Sequence, residues 1–576
     1  MKTRTVLTAA KRRIRSAIAW VRSSRRRIIA AAVIPLCVIA LSLALSVKRS
    51  YSLNPSITHS VYTIPKDAAW YLEVLEPQQL YTVFEGSRFG RSIIDSKAWE
   101  KLSGTPEFHT ISNLLYFIEL KAGIHISYSE IPSFLGGSAG MAKMKDGSFL
   151  IVARTNLKSR FTISLLSAFK GEKAPLPKKK TAEGEPKKRE GVSSDSYKDL
   201  FDEESVPFAN LSVTKIHTQS GAMFLVMLDD YLFVSDSADT LKESLYLATQ
   251  SDPSSVKTIG GMNEAVTAFE NGGHILLYLD GAQSFAAPLL GAFVKGGSGA
   301  AIVLYPDKTK PLSGDIFAAG DFEPLPASEG PGFSKIIPLE QTVSLYSETE
   351  GIPGLLKSFD SLDSKWDDLK EGSEGFFRRA DIDTGDYFGS AKGTALVFHS
   401  FDVFDDRPYP QFSLLYGSKR NDTAIARALF KTGEETRETF GDASFTSLGA
   451  EGKNYDPAFY AGKANVISSA KKELQSFISA SQGNRPVLAD DSSYAALGEY
   501  AKAPHHLVIN IPQCISAARS FFLYGAKRNG GYSAATVDRD IMPLAEPLAR
   551  YETLHIASGL GNRKTGKIVV TEKKTQ

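Results

Sequence analysis

The sequence predicts an α+β protein: two tandem repeats of a mainly antiparallel sheet with helices on one face, preceded by a single transmembrane helix. Three features predict this fold class. An uncharged apolar stretch lies near the N-terminus, strand-like segments outnumber helical ones after it, and several elements return in the same order further along the chain. Neighbouring strands that alternate apolar and polar residues are typical of an antiparallel sheet with one buried face.

The apolar stretch covers residues 28–47 and contains no charged residue. An α-helix needs roughly 20 apolar residues to cross the hydrocarbon core of a membrane. We therefore predict a transmembrane signal-anchor helix at 28–47 that contacts the lipid bilayer. A cleaved signal peptide is the alternative, with Ala44 and Ser46 as the small residues of its cleavage site.

Residues 1–27 form a basic tail without any acidic residue, and the first acidic residue of the chain is Asp67. Positive charge beside a first apolar segment keeps that flank in the cytoplasm. The sequence therefore predicts a single-pass protein of the bacterial inner (cytoplasmic) membrane. Its N-terminus would be cytoplasmic, and the bulk of the chain would be extracytoplasmic, in the periplasm.

Charge and cysteine content narrow the functional classes. The net charge of +3 conceals 12 basic and no acidic residues in 1–49, which leaves 55 basic and 64 acidic residues, a net charge of −9, in the rest. A region this acidic is not suited to bind nucleic acid through bulk electrostatics. Of the two cysteines, Cys37 lies in the apolar stretch, so Cys514 has no exported partner for a disulfide.

The first repeat is predicted at 61–325. A strand, a helical pattern, a glycine-rich strand pair, a helix, two strand–helix steps and a closing strand follow one another at 64–74, 77–102, 135–153, 161–169, 230–249, 274–293 and 301–305. Residues 170–205 interrupt this repeat, and their Lys, Glu, Pro and Gly content predicts a disordered insert. We interpret the insert either as a loop that docks a partner or as a solvated insertion.

The second repeat, at 335–570, has the same order of elements. A strand, a helical pattern, a strand pair, a helix, two strand–helix steps and a closing strand follow at 337–346, 355–369, 387–416, 424–432, 458–480, 506–522 and 553–557. The order of several separate elements agrees although identity per position is low. This agreement predicts that one module occurs twice.

One segment fits a catalytic motif. The residues Gly136-Gly137-Ser138-Ala139-Gly140 match G-x-S-x-G, which in α/β-hydrolases places a nucleophilic serine on a strand-to-helix turn. Here the pattern continues as a strand rather than a helix. The alternative interpretation is that small residues simply begin a strand, without any catalytic role for Ser138.

Metal and cofactor motifs are absent from the sequence. The nine histidines form no H-E-x-x-H motif, and the adjacent His505 and His506 point to opposite faces of a strand. The acidic segment 381–386 resembles a calcium loop only in part, because the glycine at position 6 and the glutamate at position 12 are missing. We interpret it, and the acidic segment 402–406, as solvated turns. No G-x-G-x-x-G occurs in a βαβ context. We therefore predict no catalytic, cofactor-binding or metal-ligating residue, and no cofactor.

Three segments carry a resemblance to a known family: IPKDAAWYLEV at 64–74, DDYLFVSDSADTLKESL at 229–245 and HILLYLDGAQSF at 274–285. They resemble bacterial exported proteins that carry one N-terminal membrane segment and an extracytoplasmic domain of unknown function, often present twice. The resemblance implies the tandem organisation and the topology. It implies no catalytic residue, and the insert at 170–205 departs from the usual pattern of the family.

The sequence favours a membrane-anchored extracytoplasmic protein with a non-enzymatic role, either binding or scaffolding in the cell envelope. Its expected partner is another envelope protein, and no nucleic acid is expected. The alternative function is an envelope serine hydrolase that uses Ser138. A passive spacer is a third interpretation.

Overall fold

The computed structural model describes the following residues of the 576-residue chain: 54, 57–86, 91, 130–156, 203–208, 211–218, 221–249, 255–280, 299–306, 312–319, 332–349, 351, 371, 375–388, 393–404, 407–418, 420, 422–450, 455–529, 533–560 and 564–573.

The strands fall into two groups along the chain. The first group is β1 (Ala68–Leu75), β2 (Leu135–Met144), β3 (Phe149–Thr155), β4 (Glu203–Phe208), β5 (Leu211–Thr218), β6 (Gly221–Leu228), β7 (Tyr231–Ser235), β8 (Ile275–Asp280), β9 (Gly299–Tyr305) and β10 (Ser313–Ala319). The second group is β11 (Val343–Ser347), β12 (Thr394–Phe404), β13 (Arg407–Tyr416), β14 (Thr432–Phe440), β15 (Ala443–Ala450), β16 (Ala458–Ala461), β17 (Asn465–Ser468), β18 (His505–Asn510), β19 (Tyr551–Ser558) and β20 (Lys564–Glu572). We call the chain from residue 57 to 319 the first half and that from 332 to 573 the second half.

The described α-helices are α1 (Pro77–Gly86), α2 (Ile131–Phe134), α3 (Ala238–Thr249), α4 (Met262–Glu270), α5 (Thr384–Phe388), α6 (Ala424–Phe430), α7 (Lys471–Ser481), α8 (Ser492–Leu497), α9 (Ile511–Asn529) and α10 (Ala534–Thr536). Short 3-10 turns accompany them at Ser60–Thr63, Val256–Thr258, Phe333–Lys335, Leu488–Asp490, Gly498–Lys502 and Met542–Leu548. A π-helical turn spans Val537–Ile541.

The twenty strands of the described residues all belong to one continuous sheet, and every pairing between them is antiparallel. From one edge to the other the order is β4-β5-β6-β7-β3-β2-β1-β8-β9-β10-β20-β19-β18-β11-β12-β13-β17-β16-β15-β14. The second half repeats the order of the first, read from the opposite edge, and the two halves meet where β10 pairs with β20.

The smaller turns repeat as well. Val256 N–H donates to the Ile64 carbonyl in the first half, and Leu488 N–H donates to the Ile337 carbonyl in the second. Each bond joins a 3-10 turn to the segment that leads into the first strand of its half. These bonds and the strand pairings define equivalent positions in the two halves.

Each half has its own hydrophobic core on one side of the sheet, which we call the first face. In the first half, α3 and α4 cover it; α4 buries residues at helical spacing, namely Met262, Ala265, Val266 and Phe269, against strand residues such as Tyr278 and Val303. In the second half, α7 and α8 cover the same face, and Phe477 and Tyr494 pack in that core.

The second face carries two further cores. In the outer strands of the second half, α5 and α6 pack against Tyr416 and Ile467. These strand residues adjoin Leu415 and Val466, which belong to the core of the first face. Because successive strand residues point to opposite faces, helices lie on both faces of the second half. The other core spans the junction of the halves and contains Ala300, Ile302, Ile316, Ala318, Leu507 and Ile568.

The predicted fold class is therefore wrong in its architecture. We expected two modules that each had a sheet with helices on one face, whereas one sheet of twenty strands runs through both halves and helices cover both of its faces in the second half. The cause is the strand pair β10–β20, whose hydrogen bonds join the two halves without a break.

No helix within the described ranges is both long and apolar enough to cross a membrane. This finding contradicts the prediction of a transmembrane signal-anchor helix, and with it the prediction of a single-pass inner-membrane protein that contacts the bilayer through 28–47. The tail at 1–27 and the apolar stretch itself lie outside the described residues.

The predicted boundaries 61–325 and 335–570 stay predictions. Most of the predicted insert at 170–205 lies outside the described residues, and its last three residues belong to β4.

Candidate functional site

A buried carboxylate lies at the centre of a polar cluster in the first half. Glu73 on β1 is fully buried, and its Oε1 accepts the backbone N–H of Ser60 at 3.0 Å. The Tyr71 hydroxyl donates to Glu73 Oε2 at 2.5 Å and lies 2.7 Å from Ser60 Oγ. Glu73 thus satisfies the free N–H at the start of the turn Ser60–Thr63. Burial, followed by the charge of Glu73, raises the pKa of Tyr71 well above its usual range.

Gly140 makes this close approach feasible. It pairs with Glu73 across β1 and β2, and a Cβ added there would lie 2.2 Å from Ser60 Oγ. Gly140, one of the glycines of the G-x-S-x-G motif, therefore makes room for the buried turn Ser60–Thr63.

Ser138 lies in this neighbourhood, two residues before Gly140 on the same face of β2. It is 1% exposed, and its Oγ has no hydrogen-bond partner among the described residues. The strand continues to Met144, so no strand-to-helix turn presents the hydroxyl. His59 Nε2 lies 2.9 Å from Glu270 Oε1, and His59 Nδ1 makes no hydrogen bond to Ser138. Among the described residues, no base is hydrogen-bonded to this serine.

The second half uses a carboxylate in the same way. Glu348, just after β11, is buried and accepts the N–H of Gly332 at 2.9 Å and of Phe333 at 2.7 Å. These donors begin the turn Phe333–Lys335, which is equivalent to the turn beside Glu73. Burial raises the pKa of Glu348, and the backbone N–H donors partly oppose that shift. Both buried carboxylates therefore have a structural role, which is to accept backbone N–H groups at the start of a turn.

A chain of hydrogen bonds connects two buried histidines in the second half. Ser493 Oγ lies 3.0 Å from His555 Nδ1, His555 Nε2 lies 3.0 Å from His506 Nδ1, and His506 Nε2 lies 2.8 Å from the Ala503 carbonyl oxygen. We call these four residues the histidine chain. Tyr346 stacks on His506 at 4.8 Å between ring centroids.

A third buried histidine, His399 on β12, also has polar partners. Its Nε2 lies 2.7 Å from Ser413 Oγ, and its Nδ1 contacts the side-chain oxygen of Gln341. Burial lowers the pKa of His399 to about 3.

The acidic segments behave as turn residues where they are described. Asp383 Oδ1 accepts the N–H of Gly385 at 2.7 Å at the start of α5, and Asp381 has a φ of 54°. Asp402 is exposed on β12, while residues 405–406 lie outside the described residues. Across the part of the chain that the structure describes, no group of three or more His, Cys, Asp or Glu side chains could hold a metal ion.

Two exposed apolar side chains occupy equivalent places. Met141 on β2 is 39% exposed and pairs with Leu72 and Ile151; Leu396 on β12 is 49% exposed and pairs with Leu345 and Leu414. Both triplets lie on the second face of the sheet. We call these two places the paired apolar positions.

Neither the histidine chain nor the paired apolar positions were predicted from the sequence. His506 and His555 lie 49 residues apart in the sequence, and only the pairing of β18 with β19 brings them together. Strand alternation places His506 on the same face as Val508, but the pairing of Val508 with His555 follows only from the structure.

No family model matches the chain, and no curated protein matches it. The solved structure of crystal form I of TP0453 is similar over 46% of this chain and 81% of that chain, with 10% sequence identity and a TM-score of 0.22. A likeness at this TM-score carries no argument about fold or function.

Proposed function

We propose that the protein is a non-enzymatic binding or scaffolding protein that holds a partner protein on the second face of its sheet. The observation that carries the proposal is the pair of exposed apolar side chains, Met141 and Leu396, at equivalent places in the two halves. Contiguous exposed apolar surface marks sites of protein association, and the cross-strand neighbours of both side chains are apolar and only partly buried. A repeated pair on one continuous sheet offers a partner two contacts at a fixed separation.

The proposal also accounts for the buried polar groups. Glu73, Glu348 and the histidine chain have hydrogen-bond partners inside the protein and lie away from solvent. A nucleophile or general base must reach its substrate. The hydrolase alternative has less support, because Ser138 is 1% exposed and lies within a strand.

Photocrosslinking tests the binding function. A photoreactive amino acid is placed at Met141 or at Leu396 in cells that express the full chain, and at Tyr246 as a control. Tyr246 is 48% exposed on α3, which covers the opposite face. We expect one partner protein to crosslink from both test positions and not from Tyr246. Crosslinks that are absent from both test positions, with the protein recovered intact, would contradict the proposal.

A fluorophosphonate probe tests the hydrolase alternative. The purified protein is incubated with the probe and with a panel of ester, peptide and glycan substrates. We expect neither labelling nor turnover. Labelling and turnover that disappear together in Ser138→Ala would overturn the non-enzymatic function.

A further inference from the structure

When both rings are neutral, the hydrogen bonds of the histidine chain allow only one assignment of donors and acceptors. The Ala503 carbonyl can only accept, so His506 carries its proton on Nε2 and its Nδ1 is an acceptor. His555 must then donate from Nε2 to His506 Nδ1, and its own Nδ1 accepts from the Ser493 hydroxyl. Each of the three bonds fixes the direction of the next.

A proton added to this arrangement has no acidic partner. Ser493, His506 and His555 are at most 2% exposed, and in the described ranges neither ring has a carboxylate within ion-pair distance. Asp491, at the start of the covering helix α8, already accepts the N–H of Ser493 at 2.7 Å and the Thr553 hydroxyl at 3.1 Å. A buried cation without a partner is strongly unfavourable.

Other ionisable groups on the surrounding elements have separate contacts. Glu348 is bound to the turn at Gly332, Lys564 pairs with Asp315 at 2.6 Å, and Lys567 donates to the Ala496 carbonyl. The remaining groups on these elements are the phenols Tyr346, Tyr494, Tyr500 and Tyr551, the adjacent ring of His505, and the side chains of Glu499, Lys502, Glu552 and Glu572. Burial, as the largest cause, lowers the pKa of His506 to about 3 and holds the pKa of His555 well below its usual range.

The histidine chain ties a covering segment to the sheet. Its two ends, Ser493 and Ala503, belong to the stretch 491–503 that contains α8 and the turn Gly498–Lys502, whereas the two rings belong to β18 and β19. Protonation of the rings therefore affects the contact between the segment 491–503 and the sheet.

We propose that the histidine chain is an acid-sensitive latch: in mildly acidic solution, protonation of His506 and His555 releases the segment 491–503 from the sheet. A closed segment holds neutral rings, and an open segment exposes them to water, where they bind protons near pH 6.5. Opening therefore becomes more favourable as pH falls below that value. This inference does not rest on the proposed binding function.

Hydrogen exchange followed by mass spectrometry tests the latch on the full chain, at pH 7.5 and pH 5.5 and corrected for the intrinsic rate. From pH 7.5 to pH 5.5 the opening equilibrium should rise about tenfold for each ring, and about a hundredfold for the pair. We expect this rise in peptides that cover 491–503. Peptides that cover the equivalent stretch of the first half, 256–270, serve as the internal control and should not show it.

The first half also supplies the matched variant. Leu276 and Ala301 occupy the places of His506 and His555, so the double variant His506→Leu and His555→Ala installs the residues that the other half uses. Its opening should not depend on pH in this range. His399→Gln changes a buried histidine outside the latch and should keep the wild-type response.

Two results would overturn the latch. The first is wild-type exchange at 491–503 that changes with pH no more than exchange at 256–270; this measurement needs no variant. The second is a folded double variant that keeps the wild-type pH response.

Discussion

At the scale of single residues, polar side chains that resemble catalytic ones act as structural partners of the backbone. Glu73 and Glu348 lie two positions apart in repeat alignment, yet each reaches the start of the equivalent 3-10 turn. A turn of this kind leaves N–H groups without intrahelical acceptors, and a buried carboxylate supplies them. This requirement accounts for the presence of a buried acid beside each turn.

Replacement of Glu348 by glutamine tests this structural role. The amide offers one acceptor oxygen for two N–H donors, so either Gly332 or Phe333 loses its partner. We expect Glu348→Gln to lower the free energy of unfolding by about 1–3 kcal/mol, measured by urea denaturation. Glu546→Gln, at an exposed position, is the control. Equal stability of the two variants would contradict the structural role.

At the scale of elements, sequence patterns located some of the amphipathic helices, whereas α4 and α8 were not predicted. The strand–helix step predicted at 230–249 ends at the last residue of α3, and the step predicted at 458–480 ends one residue before the end of α7. These helices have one buried face, which gives a clear period. The helix predicted at 424–432 ends at Phe430, because Lys431 adopts a left-handed backbone with a φ of 52°.

Strands were predicted less completely. The edge strand β14 reads TGEETRETF, and most of its side chains are exposed, so it lacks the alternation that identifies a strand. Charged residues on an edge strand oppose pairing with another chain. The strands β10 and β20 were also missed. They are the pair that joins the halves, which is why the continuous sheet was not predicted.

The junction between β10 and β20 contains an ion pair that should couple the two halves. Lys564 Nζ lies 2.6 Å from Asp315 Oδ1, and the Tyr305 hydroxyl donates to Asp315 Oδ2 at 3.0 Å. The lysine is 38% exposed, so solvent screens the pair. We expect a double-mutant cycle of Asp315→Asn and Lys564→Met to give a coupling energy of about 0.5–1 kcal/mol.

The pair Lys242–Asp239, within α3 and more exposed, is the control for this cycle. It joins residues of one helix and no separate elements, so its coupling should be smaller. A cycle at Asp315 and Lys564 with no coupling would show that the pair contributes nothing to the junction.

At the scale of the whole molecule, the two halves share one sheet but keep separate cores on its first face. The second face is continuous and carries both the shared apolar core and the paired apolar positions. Long-range strand order cannot be read from local patterns, because it depends on which strands pair across large sequence separations. The paired apolar positions and the histidine chain follow from that order and could not be predicted from the sequence.

The continuous sheet is the central claim, and a disulfide trap tests it most directly. Ser313 pairs with Val569, and the Val570 N–H donates to the Leu312 carbonyl at 3.0 Å. This bond makes Ser313–Val569 a non-hydrogen-bonded pair, with Cα atoms about 4.5 Å apart. That separation lies at the short end of the range that a disulfide spans. The full chain with Cys37→Ser and Cys514→Ser provides a cysteine-free background.

Mass spectrometry after mild oxidation gives the result. We expect Ser313→Cys with Val569→Cys to form an intramolecular disulfide in high yield. Ala319→Cys with Val569→Cys should not, because Ala319 lies at the far end of β10, about 20 Å along the strand. Efficient closure of the first pair alone would support one continuous sheet. Equal yields for the two pairs, or no 313–569 disulfide in folded protein, would contradict it.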